Sequence, residues 1–140
     1  MRTEEKNKEI VRDLFAAMDE GNLERVKKLL ASDSKLYSPA VPDPVGVDEL
    51  IQMIKDYSKA FPDNIHELHE IIAEGNKVAV RLVEHGTHKG EFGGMPATGR
   101  RIKLAAIHMG VIEDGKIKEW WLAEDALGQM QQLGMELKPK

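Results

Sequence analysis

The chain has 140 residues, a size that encloses one hydrophobic core and leaves little room for a second, so we expect a single domain over residues 1–140. Its 20 basic and 24 acidic side chains give a formal charge of -4, without the basic excess that binds nucleic acid or an anionic membrane. The absence of cysteine excludes disulfides, thiolate nucleophiles and sulfur-ligated zinc.

Two amphipathic segments at the start of the chain predict a helical hairpin. From Glu4 to Met18, apolar residues recur every three or four positions. The charged residues at the N-terminus are typical neither of a signal peptide nor of a membrane span, so we expect a cytoplasmic protein. Gly21 ends the first helix, and Asn22 is a typical N-cap of a second, short helix that ends before Asp33.

A proline-rich segment separates this hairpin from a third predicted helix. Residues 37–46 contain three prolines, which predict an irregular loop. The third helix is predicted from Val47 to Ala60, where an apolar stripe is followed by Phe61-Pro62-Asp63 as a stop.

After Asn64 the pattern becomes typical of strands that are joined by short turns. The predicted strands are Ile65–Ala73, Val78–Thr87, Ile102–Ile112 and Ile117–Glu124. Gly75-Asn76 and Asp114-Gly115 accept the positive φ of tight hairpin turns, and the last three strands are predicted to form an antiparallel meander. A last helix, Ala126–Leu133, follows at once and is closed by Gly134.

This order of elements predicts an α+β fold, in which the N-terminal helices cover one face of a curved antiparallel sheet. A curved sheet that helices close at its wide end leaves an apolar cavity, the usual site of a small ligand. Aromatic residues make up only 5% of the chain, so stacking walls for a large polycyclic ligand are not evident.

The segment from Gly86 to Gly99, Gly-Thr-His-Lys-Gly-Glu-Phe-Gly-Gly-Met-Pro-Ala-Thr-Gly, resembles the strand connection of SnoaL-like polyketide (ester) cyclases. The resemblance continues in Val78–Arg81, in Glu113–Trp121 and in the terminal helix with its flanks, Asp125–Gly134. It implies the cone-shaped fold of the nuclear transport factor 2-like superfamily, a cystatin-like α+β barrel, and a homodimer through the outer sheet face. It also implies acid/base-catalysed, intramolecular aldol-type closure of a polyketide or related ester without metal or cofactor.

In such cyclases an aspartate on the last strand is the general acid/base, and Asp125 matches that position. Strand alternation supports the match, because Asp125 falls on the side of Ile117 and Trp121, the less polar and therefore the predicted inner side. Desolvation near a cavity would raise the pKa of its carboxyl toward neutrality. The alternative is an N-cap, since Asp125 directly precedes the helix that starts at Ala126.

Two histidines are further catalytic candidates. His88 lies in the segment that carries the resemblance, where it would orient a substrate carbonyl or share a proton with a carboxylate. Its alternative role is a structural hydrogen bond that fixes the loop. His108 lies in the middle of a predicted strand, so a neutral buried imidazole is expected there, in the cavity or at a dimer face.

Six residues are candidates for substrate contact. Arg81 lies among aliphatic residues and needs a carboxylate or carbonyl partner, either structural or on a substrate. The other five are interpreted as core or cavity lining, namely Tyr37, Met53, Tyr57, Phe61 and Trp121.

The histidine spacings do not favour a metal. In His66-Glu-Leu-His69 the two imidazoles are three residues apart on a predicted strand and face opposite sides, whereas a zincin places them four apart on a helix. His85 and His88 have the same unfavourable spacing. We therefore expect neither a metal nor another cofactor.

The sequence leaves three functions open. The first is a cyclase, or a related lyase or isomerase, whose partner is a small hydrophobic or ester-bearing ligand. The second is a carrier that binds such a ligand in the same cavity without chemistry. An epoxide hydrolase ranks third, because it needs a cluster of polar groups of which only Asp125 and Arg81 are evident.

Overall fold

Helices and strands form where the sequence spacing predicts them, with one strand added. The computed structural model describes residues 2–140. The elements are α1 (Thr3–Asp19), α2 (Leu23–Leu29), β1 (Leu30–Tyr37), α3 (Val47–Ala60), β2 (Ile65–Glu74), β3 (Lys77–Thr87), β4 (Arg101–Glu113), β5 (Lys116–Glu124) and α4 (Ala126–Gln132).

The predicted turn and cap residues act as expected. Gly21, with φ of 71°, follows α1, and the Asn22 side chain accepts a hydrogen bond from the Arg25 backbone N–H at the start of α2. The β4–β5 turn has positive φ at Asp114 and Gly115, the geometry that a tight hairpin requires.

The five strands form one sheet in the order β1-β5-β4-β3-β2. The last four strands pair antiparallel, so the predicted meander is confirmed. The prediction of a wholly antiparallel sheet was wrong, because β1 pairs parallel with β5. This edge strand was missed because its centre, Ser32-Asp33-Ser34-Lys35, is polar. An ion pair between Lys118 and Asp33 joins it to β5.

A β-bulge in β5 decides which of its side chains face the core. Ile112 pairs with Ile117 and Val111 pairs with Glu119, so Lys118 is an extra residue on β5. Because side chains alternate with a period of two, one extra residue exchanges the two faces of the strand beyond it. Ile117 and Trp120 are both buried although they are three residues apart. The inner face therefore continues from Trp120 to Leu122 and Glu124.

Helix α4 is fixed to β4 by the Gln132 side chain, which makes the two hydrogen bonds that a neighbouring strand would otherwise make. The backbone of Lys103 lies beyond the end of β5, whose last pairing is Ala106 with Glu124. The Gln132 amide oxygen accepts a hydrogen bond from the Lys103 N–H (2.7 Å), and its amide nitrogen donates one to the Lys103 carbonyl (2.9 Å). This pairing satisfies a strand edge that would otherwise stay open and places α4 beside the cavity.

Candidate active site

A cavity of about 170 Å³ lies between α3 and the inner face of the sheet. Its lining is mainly apolar, but the sheet contributes two histidines and two glutamates to it. We call this space the reactive compartment. Its lining consists of Met18, Leu36, Leu50, Met53, Ile54, Tyr57, Ser58, Asn64, His66, Leu82, Glu84, Leu104, Ala106, His108, Leu122 and Glu124.

His66 lies between two carboxylates that come from different elements. Its Nδ1 is 2.6 Å from Asp19 Oδ1 at the end of α1, and its Nε2 is 3.1 Å from Glu84 Oε1 on β3. Burial alone would lower the pKa of His66, but the hydrogen bonds and charges of the two carboxylates outweigh it and raise this pKa to about 9. His66 is therefore a cation near neutral pH, and both of its nitrogens are engaged.

Glu124 is the acidic group of the compartment that has no partner. No hydrogen bond or ion pair links its carboxylate to another side chain among residues 2–140. Glu124 as a whole residue is exposed at the end of β5. Its carboxyl group is partly buried where it lines the compartment, and this burial raises its pKa. The negative charge of Glu84 raises this pKa further, while the charge of His66 opposes both effects.

His108 lines the compartment as a neutral imidazole. The Trp120 indole N–H donates to His108 Nδ1 at 2.8 Å, so in the neutral ring the proton belongs to Nε2. Burial first, and the charge of His66 second, lower the pKa of His108 to about 4. The Phe15 ring packs against both imidazoles, at 4.9 Å from His66 and 5.5 Å from His108 between centroids. His108 can thus offer Nε2–H as a hydrogen-bond donor.

Gly110 makes room for this arrangement. A Cβ at Gly110 would lie 2.4 Å from Trp120 Cε3, so the indole rests directly on the glycine backbone. Any side chain there would displace Trp120, and with it the hydrogen bond that fixes His108.

Tyr57, on α3, adds a phenol to the wall that faces the sheet. The Gln129 amide nitrogen, on α4, donates to Tyr57 Oη at 2.9 Å. Burial of the ring, followed by the charge of Glu84, raises the pKa of Tyr57, so the phenol keeps its proton at neutral pH. Tyr57 is therefore a second hydrogen-bond donor beside the carboxylates.

The inner-face placement predicted for Asp125 is wrong. The β5 bulge turns Asp125 away from the compartment, and its Oδ1 accepts a hydrogen bond from the Gly128 backbone N–H at 2.9 Å. This is the N-cap alternative that the sequence left open. A Cβ at residue 128 would lie 2.1 Å from Asp125 Oδ2, so the cap requires Gly128.

His88 holds the loop between β3 and β4 and does not line the reactive compartment. Its Nδ1 accepts a hydrogen bond from the Thr98 backbone N–H (3.2 Å) and lies 2.9 Å from Thr98 Oγ1. The ring is fully buried and packs at 5.4 Å from the Phe61 ring. These contacts are the structural hydrogen bonds that the alternative role of His88 predicted. The structure does not place His88 among the residues that line the compartment.

Of the six residues predicted to contact substrate, only Met53 and Tyr57 line the compartment. Arg81 is exposed and lies 3.7 Å from Glu70 on the neighbouring strand. The Tyr37 and Trp121 rings stack on each other on the outer side of the sheet, 5.1 Å apart. Phe61 is fully buried beneath Tyr57 and does not reach the cavity surface. These four placements correct the prediction.

Asp19, His66, Glu84 and Glu124 were missed as site residues. The alternation in β3 holds a signal that would have found one of them, since Glu84 continues the buried series Val78, Val80 and Leu82. A charge on an apolar strand face needs a partner inside the fold. His66 was considered only for metal binding. Across residues 2–140, no group of three or more histidines and carboxylates has metal-binding geometry.

The chain is similar to proteins of known family. Residues 8–133 match the model of the family described as SnoaL-like polyketide cyclase. This chain belongs to that family. The aklanonic acid methyl ester cyclases DnrD of Streptomyces peucetius and DauD of Streptomyces sp. (strain C5) are each 44% identical to it over 77 residues. Those residues are 54% of this chain and 52% and 47% of the relatives, so the match spans about half of their length.

Two solved structures, one described as a polyketide cyclase and the other as a hydroxylase, share this fold over nearly the whole chain. IdmH from Streptomyces antibioticus is 29% identical with a TM-score of 0.84, covering 92% of this chain and 99% of that one. AclR from Streptomyces galilaeus is 28% identical with a TM-score of 0.87, covering 94% and 98%. The predicted α+β fold is thereby confirmed. Within residues 2–140, the helices are too short or too polar to cross a membrane.

Proposed function

We propose that this SnoaL-like protein is a cofactor-independent cyclase that closes a ring in a polyketide ester, with Glu124 as its acid/base residue. The observation that carries the proposal is the unpartnered Glu124 carboxyl, which lines a largely apolar cavity beside a neutral imidazole donor. Family membership and the similarity to the two ester cyclases support the reaction class and the substrate class.

Glu124 is better suited to proton transfer than the other acidic groups of the site. Glu84 is engaged by the His66 cation, and Asp19 holds the other nitrogen of the same ring. A raised pKa makes Glu124 a stronger base when ionised and leaves it able to return the proton afterwards. The charge of Glu84 contributes to this rise and the charge of His66 opposes it, so the cluster around His66 tunes the pKa of Glu124.

The reaction needs only proton transfers and one carbon–carbon bond. Glu124 takes a proton from the carbon α to the ester carbonyl, and the electron pair of that C–H bond forms the enolate. The enolate carbon attacks a ketone carbonyl of the same molecule, whose oxygen accepts a hydrogen bond from His108 Nε2–H. The resulting alkoxide takes the proton back from Glu124, so the product is an isomer of the substrate and the enzyme is regenerated.

A neutral His108 is the appropriate donor for this step. Because the pKa of His108 is about 4, the ring is a neutral imidazole near neutral pH, and its Nε2–H polarises a carbonyl by a hydrogen bond. The Tyr57 phenol, held by Gln129, faces the sheet across the cavity, and we assign it the stabilisation of the enolate oxygen.

A matched pair of variants tests the proposal. Glu124→Gln keeps the shape of the side chain and should lower kcat on aklanonic acid methyl ester at least about 100-fold, the smallest usual contribution of general acid/base catalysis. Asp125→Asn is the control, because Asn is also a good N-cap and the residue faces away from the compartment. It should keep kcat near the wild-type value.

Equal turnover by the wild type and Glu124→Gln would exclude the assigned role of Glu124. Loss of turnover in Asp125→Asn alone would assign the acid/base role to Asp125, as the sequence predicted. Binding of the ester without turnover by any variant, including the wild type, would identify a carrier instead of a cyclase.

A further inference from the structure

A second cavity lies behind the reactive compartment. We call it the inner chamber. Its volume is about 70 Å³, and it lies between the helical hairpin and the strands β1 and β5. Its lining is almost entirely apolar, and most of the side chains are buried. The lining residues are Leu14, Phe15, Met18, Val26, Leu30, Ser34, Lys35, Leu36, Val45, Gly46, Val47, Leu50, Ile54, His108, Ile117, Trp120 and Leu122.

The inner chamber and the reactive compartment adjoin each other. Six residues line both of them, namely Met18, Leu36, Leu50, Ile54, His108 and Leu122. Among these six, His108 is the polar residue. A carbonyl that accepted a hydrogen bond from His108 Nε2–H would lie at this junction, with one substituent in each space.

The chemistry of the inner chamber favours an alkyl group over water. A buried water needs two to four polar partners, whereas an apolar cavity stays dry and binds apolar molecules. A cavity of about 150 Å³ holds a benzene molecule, so a chamber of about 70 Å³ has room for roughly three carbon atoms. A longer arm would have to displace closely packed core side chains such as Val26 and Ile117, both fully buried.

We propose that the inner chamber is a subsite for an unbranched alkyl arm of about three carbons, attached to the carbonyl that His108 polarises. This inference deepens the proposed function and rests on it for the identity of the carbonyl. If the inner chamber is such a subsite, the ketone of the substrate carries an alkyl chain. The size of the chamber then limits the length of that chain.

Binding of alkyl phenyl ketones tests the subsite without any turnover. The series from acetophenone to hexanophenone keeps the phenyl ring, which suits the reactive compartment, and lengthens the alkyl arm from one carbon to five. Calorimetry should show Kd falling about fourfold for each added carbon up to about three, because each buried methylene is worth this factor. Beyond that length Kd should level off or rise. A Kd independent of chain length, or one that falls through all five carbons, would overturn the proposal.

Two variants of the chamber wall should move the optimum in opposite directions. Val26→Leu adds a methylene to the wall and should shorten the best arm by about one carbon, whereas Leu30→Val removes one and should lengthen it. Circular dichroism checks that each variant is folded. A shift of the preferred chain length in either folded variant supports the subsite, and an unchanged length in a folded variant contradicts it. Met53→Ala is the control, because Met53 lines only the reactive compartment. It should weaken the whole series and keep the optimum.

This test separates the subsite from the catalytic proposal. Glu124→Gln should retain the chain-length optimum of the wild type while losing turnover. If the wild type shows no preferred chain length while Glu124→Gln still loses turnover, the subsite alone is rejected. An optimum that persists while Glu124→Gln stays fully active rejects the role of Glu124 alone.

Discussion

Raising the pH should destabilise the fold by removing the positive charge of His66. The imidazole is 2.6 Å from Asp19 and 3.1 Å from Glu84, and only 5% of the side chain is exposed. These two contacts join the end of α1 to β2 and β3. Once the ring is neutral, only one of its nitrogens can donate a hydrogen bond, so one of the two carboxylates loses a hydrogen bond and a countercharge.

The size of the effect follows from the two pKa values. The pKa of His66 rises from 6.5 to about 9 on folding, despite the opposing effect of burial. Each pKa unit corresponds to about 1.4 kcal/mol, so the charged imidazole contributes about 3 kcal/mol to the free energy of unfolding. Because the folded protein binds this proton more tightly, the contribution is complete below the unfolded pKa of 6.5 and is lost as the pH rises through about 9.

Denaturant unfolding of the wild type and His66→Gln measures this contribution. The difference between their free energies of unfolding should shrink by about 3 kcal/mol between about pH 6 and about pH 9.5. The pKa of His108 in the wild type, about 4, lies below this range. A difference that stays constant over the range, or an NMR titration of His66 with a midpoint near 6.5, would falsify this account of the cluster.

Two further predictions concern the support of the site and the outer sheet face. Gly110→Ala should lower the free energy of unfolding by about 1–3 kcal/mol and reduce kcat, because the new Cβ would displace Trp120 and its hydrogen bond to His108. Unchanged unfolding and activity would contradict this. We also propose a homodimer through the outer sheet face, where Ile107 and Met109 are 55% and 48% exposed. Light scattering should show a dimer that Met109→Lys converts to a monomer; a monomeric wild type would contradict the proposal.

Much of the fold follows from local sequence signals. Gly21 with Asn22, and Asp114 with Gly115, act through the backbone geometry of their own turn, which the residue types reveal directly. Strand β1 differs, because its polar residues form a strand only through parallel pairing with β5, which lies about 85 residues further along the chain.

The candidate site could be predicted only in part, for the same physical reason. Asp125 was favoured by the family resemblance and by an assumed strict alternation along β5, and the extra residue Lys118 reverses that alternation. No local pattern indicates that bulge. Asp19 and His66 are 47 residues apart, and their contact depends on how α1 packs against β2. His108, in contrast, lines the cavity, one of the two positions that its place in the middle of an apolar strand predicted.

Exchange of the α-proton of the substrate tests the central claim, proton abstraction by Glu124, most directly. A β-keto ester without the ketone that closes the ring should be incubated with the enzyme in D₂O, and deuterium incorporation at its α-carbon followed by NMR. We predict catalysed exchange by the wild type and by Asp125→Asn, and exchange at the uncatalysed rate with Glu124→Gln. Exchange by Glu124→Gln at the wild-type rate would contradict the claim.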